Sequence, residues 1–132
     1  MTTQRGFYQS FLVLLTLLLI GCGGSGEVEV SGKLTKGGEP LQVSENGDVQ
    51  ITFAQIDGGT QTGHQFLASP DDSGQYSVNV APGEYKVAVV QLDPYPDNDK
   101  LEGKFNQENT PIKKTIDGGE TWDIELDEHA GN

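Results

Sequence analysis

The chain has 132 residues, enough for one domain, and carries 20 Asp plus Glu against 8 Lys plus Arg, a formal net charge of −12. A surface this negative repels phosphate backbones and anionic headgroups, which disfavours nucleic-acid binding and electrostatic attachment to a membrane. One cysteine excludes an intrachain disulfide and a cysteine-based metal cluster, and neither His64 nor His129 has a companion at metal-ligand spacing, so no metal or cofactor is expected.

Phe11 to Ile20 reads FLVLLTLLLI, an apolar run broken only by Thr16. Spanning a bilayer takes about 20 apolar residues, so the run is too short for that and suits the h-region of a secretory signal peptide, with Arg5 ahead of it as a positive n-region. A buried core helix is the competing reading, but a helix apolar on every face beside a glycine linker has nothing to pack it. Leu19-Ile20-Gly21-Cys22 resembles the lipobox of bacterial lipoproteins. That resemblance implies a diacylglycerol thioether on Cys22, cleavage between Gly21 and Cys22, and acylation (palmitate or a similar chain) of the new amino terminus. The chemistry accounts for an isolated cysteine, because a thiol is the side chain most readily alkylated by a lipid donor. One acyl chain holds a protein marginally and two or more hold it stably.

Residues 1–21 are thus expected to be a signal-peptide helix, and 22–26 a lipidated cysteine with a glycine tether. Removing 1–21 takes away Arg5 and no acid, which leaves a net charge of −13. Gly21-Cys22-Gly23-Gly24-Ser25-Gly26 formally matches a G-x-G-x-x-G dinucleotide fingerprint. It has no strand before it and no helix after it, and the expected cleavage cuts it. Gly23 to Gly26 reads instead as a flexible spacer with a root-mean-square reach of about 10–12 Å. The residue after Cys22 is glycine, not the aspartate that marks inner-membrane retention, which points to the outer membrane.

From Glu27 onward the apolar residues alternate with polar ones at period two, which predicts strands. EVEVSGKL puts Val28, Val30 and Leu34 on one side and Glu29, Ser31 and Lys33 on the other; VQITFAQI aligns Val49, Ile51 and Phe53. A strand through Gln65 to Ala68 follows, then QYSVNV aligning Tyr76, Val78 and Val80, and GEYKVAVVQL aligning Tyr85, Val87 and Val89. TPIKKTI is interrupted by Lys113 and Lys114, and TWDIELDE sets Trp122, Ile124 and Leu126 against Asp123, Glu125 and Asp127. Turn chemistry separates these runs in TKGGEP, ENGD, DGGT, PDDSG, APG and DGGE. The expectation is an all-β fold, a single antiparallel seven-stranded sandwich over 27–128 with a short tail at 129–132. Asp93 to Asn109 is the irregular exception, and loops of that length are usually functional or mobile.

VSGKLTKGGEPL (Val30–Leu41), VQITF, and DDSGQYSVNVAPGEYKVAV (Asp71–Val89) resemble the carboxypeptidase regulatory-like, transthyretin-related domains, which are Ig-like sandwiches. NTPIKKTIDGGETWDIEL looks like the last hairpin of the same unit. The resemblance covers about residues 27–128, and small lipoproteins of planctomycete-like bacteria combine such a signal with this domain. Some transthyretin-related proteins are hydrolases relying on histidines, arginines and a characteristic carboxy-terminal tetrapeptide. Here the only arginine is Arg5 and the chain ends in EHAGN, which departs from that branch.

Ser73 lies in a turn with no histidine near in sequence and no G-x-S-x-G elbow, so no enzyme is expected. Asp93, Asp97, Asp99 and Glu102 gather hard oxygen ligands in one loop, but their spacing fits no EF-hand, and solvated acid is the plainer reading. An internal isopeptide bond needs an inward lysine, and Lys33 falls on the outward face. Tyr95, between Pro94 and Pro96, and Phe105 are aromatic candidates for a binding loop with Asp93, Asp97 and Asp99, against the alternative that Tyr95 packs back on the sandwich. The expected role is a non-catalytic structural or interaction module, anchored in the bacterial cell envelope through Cys22 and facing an envelope protein or glycan in the periplasm or outside. The alternative is a carbohydrate or small-molecule binding lipoprotein serving a transporter, which a deep apolar pocket would favour.

Overall fold

Residues 26–131 are described by the structure, a computed structural model. In chain order the elements are β1 (Val28–Lys36), β2 (Glu39–Pro40), β3 (Asp48–Asp57), β4 (Thr60–Ala68), β5 (Gln75–Val80), β6 (Gly83–Leu92), β7 (Lys113–Ile116), β8 (Glu120–Thr121), β9 (Ile124–Glu125) and a single-turn helix α1 (Leu126–His129). The signal-peptide helix, the cleavage site and Cys22 lie outside the described residues.

The period-two patterns become two facing sheets. In one, β1 pairs antiparallel with β5 from Val28↔Val80 to Lys33↔Gln75, and with β2 at Thr35↔Pro40. In the other the order is β4-β3-β6-β7, every neighbour antiparallel. Val30, Leu34, Tyr76, Val78 and Val80 from the first sheet meet Ile51, Phe53, Tyr85, Val87 and Val89 from the second in one core. The inward sets foreseen from alternation are buried except for Val28 and Trp122, which are partly covered, while Thr52, Ala54 and Ala88 on the other face are buried as well; each buried Val, Ile or Phe contributes about 1.5–3 kcal/mol. Phe53 sits at the centre, edge-on to Tyr85 at 6.1 Å and to Trp122 at 6.2 Å between ring centroids, the favoured aromatic arrangement. Tyr85 also sends its hydroxyl back to the Ala81 carbonyl four residues earlier, the tyrosine-corner device of Ig-like sandwiches.

Four features depart from the expectation. First, β4 runs the whole of Thr60–Ala68, not only Gln65–Ala68. Its register against β3 slips between Ala54 and Ile56, whose partners are Gln65 and Gln61, so the strand bulges at Thr62–His64. A bulge interrupts the two-residue period, which hides that half of the strand from alternation.

Second, TPIKKTI and TWDIEL do not form a hairpin. After β7 the chain crosses to the other sheet, where β8 and β9 run parallel to β1 at Val30↔Glu120 and Leu34↔Ile124. The sandwich is thus antiparallel-rich and not purely antiparallel. The close crossing needs Gly32: a Cβ there would drive into the Trp122 carbonyl, while Trp122 N–H donates to Ser31 O at 2.6 Å.

Third, the expected final strand stops at Glu125, whose carboxylate accepts from Asp127 N–H and caps α1. Trp122, Ile124 and Leu126 still point inward, with Ile124 and Leu126 wholly buried.

Fourth, the irregular stretch after β6 is part of the wall. β7 covers only Gly83–Lys86 of β6. Beyond that, Val87 N–H donates to Ile112 O at 2.9 Å and Val89 N–H to Phe105 O at 2.8 Å. Gln91 N–H donates to Asp99 Oδ1 at 3.0 Å, and the Thr110 hydroxyl donates to Val87 O at 2.6 Å. Segment 99–112 therefore occupies the edge that a longer β7 would have filled, leaving less open edge to template pairing with other chains. Leu101 and Phe105 plug it into the core at 4% and 3% exposure.

The registers define two ends. Val28, Val80, Gly83, Ile116 and the turn between Asp57 and Thr60 lie at the end where the chain enters. Lys36, Glu39, Gln75, Asp48 and Leu92 lie at the opposite end.

Candidate functional site

The end opposite the chain entry is built from the connections 41–47, 69–74 and 93–98. The connection between β4 and β5 closes on Asp71, whose Oδ1 accepts from the Ser73 hydroxyl at 2.7 Å, Ser73 N–H at 2.9 Å and Gln75 N–H at 3.0 Å. The Ser73 hydroxyl, first among these donors, helps hold the Asp71 carboxyl below its ordinary range. Gly74 follows with φ +85°, and a Cβ there would crowd Leu34 O, which suits only glycine. Ser73 is thus engaged in its own turn. His64 lies towards the other end of the sandwich, on the bulged part of β4, in a hollow shared with Gln55, Thr62 and Glu84.

The loop after β6 is stitched to the one before β3. Asp93 takes two hydrogen bonds from Ser44, from its N–H at 2.8 Å and its hydroxyl at 2.6 Å. The Ser44 hydroxyl is the main cause that lowers the Asp93 pKa. Tyr95 N–H donates to Asn46 O at 2.7 Å, and the Asn98 amide to Asp93 O at 3.1 Å. The Asp93–Pro94 and Tyr95–Pro96 peptides are cis. Tyr95 itself is 55% exposed and, with Glu45, Asn46, Gly47 and Asp48, lines an open hollow of about 440 Å³.

The five loop residues singled out from sequence therefore separate. Tyr95 and Asp97 face solvent. Asp93 ties two loops together. Asp99 accepts from Gln91, Leu101 and Gly103 N–H and organises the edge segment. Phe105 is in the core, so its ring is not on the binding loop. The residues that sequence reasoning missed are Ser44 and Asn46, which position Tyr95 across 49 residues of chain. The ENGD turn marked that stretch as a turn but said nothing of what it would hold.

Glu125 is the other organising carboxylate. It accepts from the Thr35 hydroxyl at 2.6 Å, Gly37 N–H at 2.7 Å and Gly38 N–H at 2.9 Å. The Thr35 hydroxyl above all, with these N–H groups, holds its pKa at about 2. Among the described residues no cluster of three or more His, Cys, Asp or Glu is arranged to hold a metal ion, and no helix is long and apolar enough to cross a membrane.

No known family model matches the chain, and no curated protein sequence matches it either. Among solved structures, the chain is similar to a DUF3823 family protein from Bacteroides ovatus ATCC 8483, 23% identical over 75% of this chain and 43% of that one, with a TM-score of 0.47. It is also similar to a leucine-rich repeat protein from Bacteroides thetaiotaomicron VPI-5482, 18% identical over 76% of this chain and 12% of that one, with a TM-score of 0.39. The chain spans less than half the length of either protein.

Proposed function

We propose that the protein is a bacterial envelope lipoprotein, anchored by acyl chains on Cys22, whose carboxypeptidase regulatory-like, transthyretin-like sandwich acts as a non-catalytic interaction module. The observation that carries the interaction role is the braced Tyr95 loop. Its backbone is fixed by Ser44 and Asn46 while its ring stays in water, so docking on it would cost little ordering entropy. The hollow at Tyr95 favours a module over a solute carrier. It is open and lined by Glu45, Asn46, Gly47 and Asp48 with Tyr95 itself, whereas a solute site is a concave, largely apolar cavity. The anchor rests on Leu19–Cys22 and on the apolar run before it.

Two measurements test the proposal. Cys22→Ser is expected to abolish fatty-acid labelling and leave unprocessed precursor; a variant that still labels removes the anchor. Affinity capture of the lipidated protein from envelope extract is expected to retain a partner that Tyr95→Ala loses. Capture unchanged by that substitution rejects the loop as the docking element.

A further inference from the structure

The hydrogen bonds of β1 identify the backbone groups that β5 leaves unpaired. Ser31 O accepts from Trp122 N–H and Lys33 N–H donates to Asp123 Oδ1, so these two residues turn their backbone groups towards β8 and β9. Leu34 N–H donates to Gly74 O at 2.8 Å. Gly32, Val30 and Val28, at the same two-residue period, therefore turn theirs towards β5, where their partners are Tyr76, Val78 and Val80. Gln75, Ser77 and Asn79 then direct N–H and C=O outward along the open edge. Those of Gln75 are taken, its N–H donating to Asp71 Oδ1 and its carbonyl accepting from Asp71 N–H. Those of Ser77 and Asn79, both exposed, have no partner among the described residues.

This edge lacks the devices that blunt the others. β2, β8 and β9 are two residues long, β7 carries Lys113 and Lys114, and β4 is bulged. β5 is six residues, QYSVNV, with no charge, proline, glycine or bulge. It shares a flank of the sandwich with β4. Segment 58–80, which holds both strands, has Asp71 and Asp72 as its only acids and no lysine or arginine. Copies of a chain with a net charge of −12 repel one another, and this flank is where they can meet without setting like charges opposite each other.

We propose that β5 pairs antiparallel with β5 of a second copy of this chain, about a two-fold axis at Val78. Ser77 then faces Asn79 of the second copy and Asn79 faces its Ser77, each couple exchanging both N–H···O bonds. An axis at Ser77 would oppose Asn79 to Gln75, which Asp71 already engages. An axis at Asn79 would oppose Ser77 to Ala81, whose carbonyl accepts from the Tyr85 hydroxyl. Only the Val78 axis sets free groups against free groups, so the edge is its own complement. It also carries no charge to steer a charged peptide onto it. The pairing covers both β5 edges and closes at two chains. It depends on neither the lipid anchor nor the Tyr95 loop.

Sedimentation of the full chain in detergent should give two chains per particle. A single chain at about 100 μM, where pairing of micromolar strength is saturated, overturns the proposal. Ser77→Glu with Asn79→Glu sets like charges directly opposite each other and should weaken the dimer about tenfold or more, as should Ser77→Lys with Asn79→Lys. Both side chains are exposed, so each variant should keep the parent's β-type circular dichroism. Mixing the two variants should restore a dimer with one chain of each. A dimer that survives the double glutamate overturns β5 as its surface, and separated variants that do not recombine overturn the Ser77–Asn79 register. Asn79→Pro removes an edge N–H and no bond to β1, which an edge strand tolerates, and should also yield single chains. A dimer retained by that variant overturns the backbone pairing.

Discussion

The Tyr76 hydroxyl donates to the Trp122 carbonyl, at the point where that carbonyl lies against Gly32. Tyr76 and Gly32 are directly paired across β5 and β1, so one residue supplies the donor and the other the empty space. Burial first, then the charges of Asp123 and Glu120, push the Tyr76 pKa far above its ordinary value. The hydroxyl therefore stays protonated and keeps donating. This arrangement fastens the parallel crossing of β8 and β9 to the first sheet.

Tyr76→Phe keeps the ring in the core and leaves the Trp122 carbonyl without that donor. The expected loss is about 1–3 kcal/mol, read from urea unfolding. Gly32→Ala should cost more, because it displaces the backbone of the crossing itself, and the two losses should be non-additive. Additive losses would show that the two residues act independently.

Glu125 makes stability depend on pH with a definite sign. Its pKa is about 2 in the folded chain against an ordinary 4.5, with the Thr35 hydroxyl as the main cause. A folded pKa below the unfolded one contributes stability that is present above pH 4.5 and is lost as pH falls through 2. Glu125→Gln should therefore lower the urea midpoint at pH 7, and the gap from the parent should close between pH 4.5 and 2. A gap that stays constant across that window would assign the effect to packing.

The edge segment is expected to be structural. Phe105→Ala should cost about 3–5 kcal/mol, as for a buried aromatic. Asp99→Ala should cost about 1.5–3 kcal/mol through lost charge-assisted hydrogen bonds and speed amide exchange at Gln91, Leu101 and Gly103. Unaltered exchange at those three amides would contradict the role given to Asp99.

Tyr95→Ala should change stability by no more than about 0.5 kcal/mol, as for a surface residue away from the core. A larger loss in thermal or urea unfolding would mean that the ring braces the loop and is not free for a partner.

Alternation along the chain was enough to determine the all-β class and the core-facing residues of β1, β3, β5 and β6, though not the burial of Thr52, Ala54 and Ala88 on the opposite faces. The first two depend only on side chains pointing to opposite faces at successive positions, a local property of extended backbone. The proposal of a signal segment and a lipidated Cys22 likewise rests on local length and composition. The long-range pairings were decided by the tertiary structure alone. Nothing near Asp99 or Phe105 indicates that they complete the edge of β6, because their partners Gln91 and Val89 are met only after the loop folds back. Nor does TWDIEL indicate a parallel course beside β1, since parallel and antiparallel strands share the same two-residue period. Tyr95 and Phe105 look alike in sequence and end on opposite sides of the surface, because burial depends on what the rest of the chain brings over a residue.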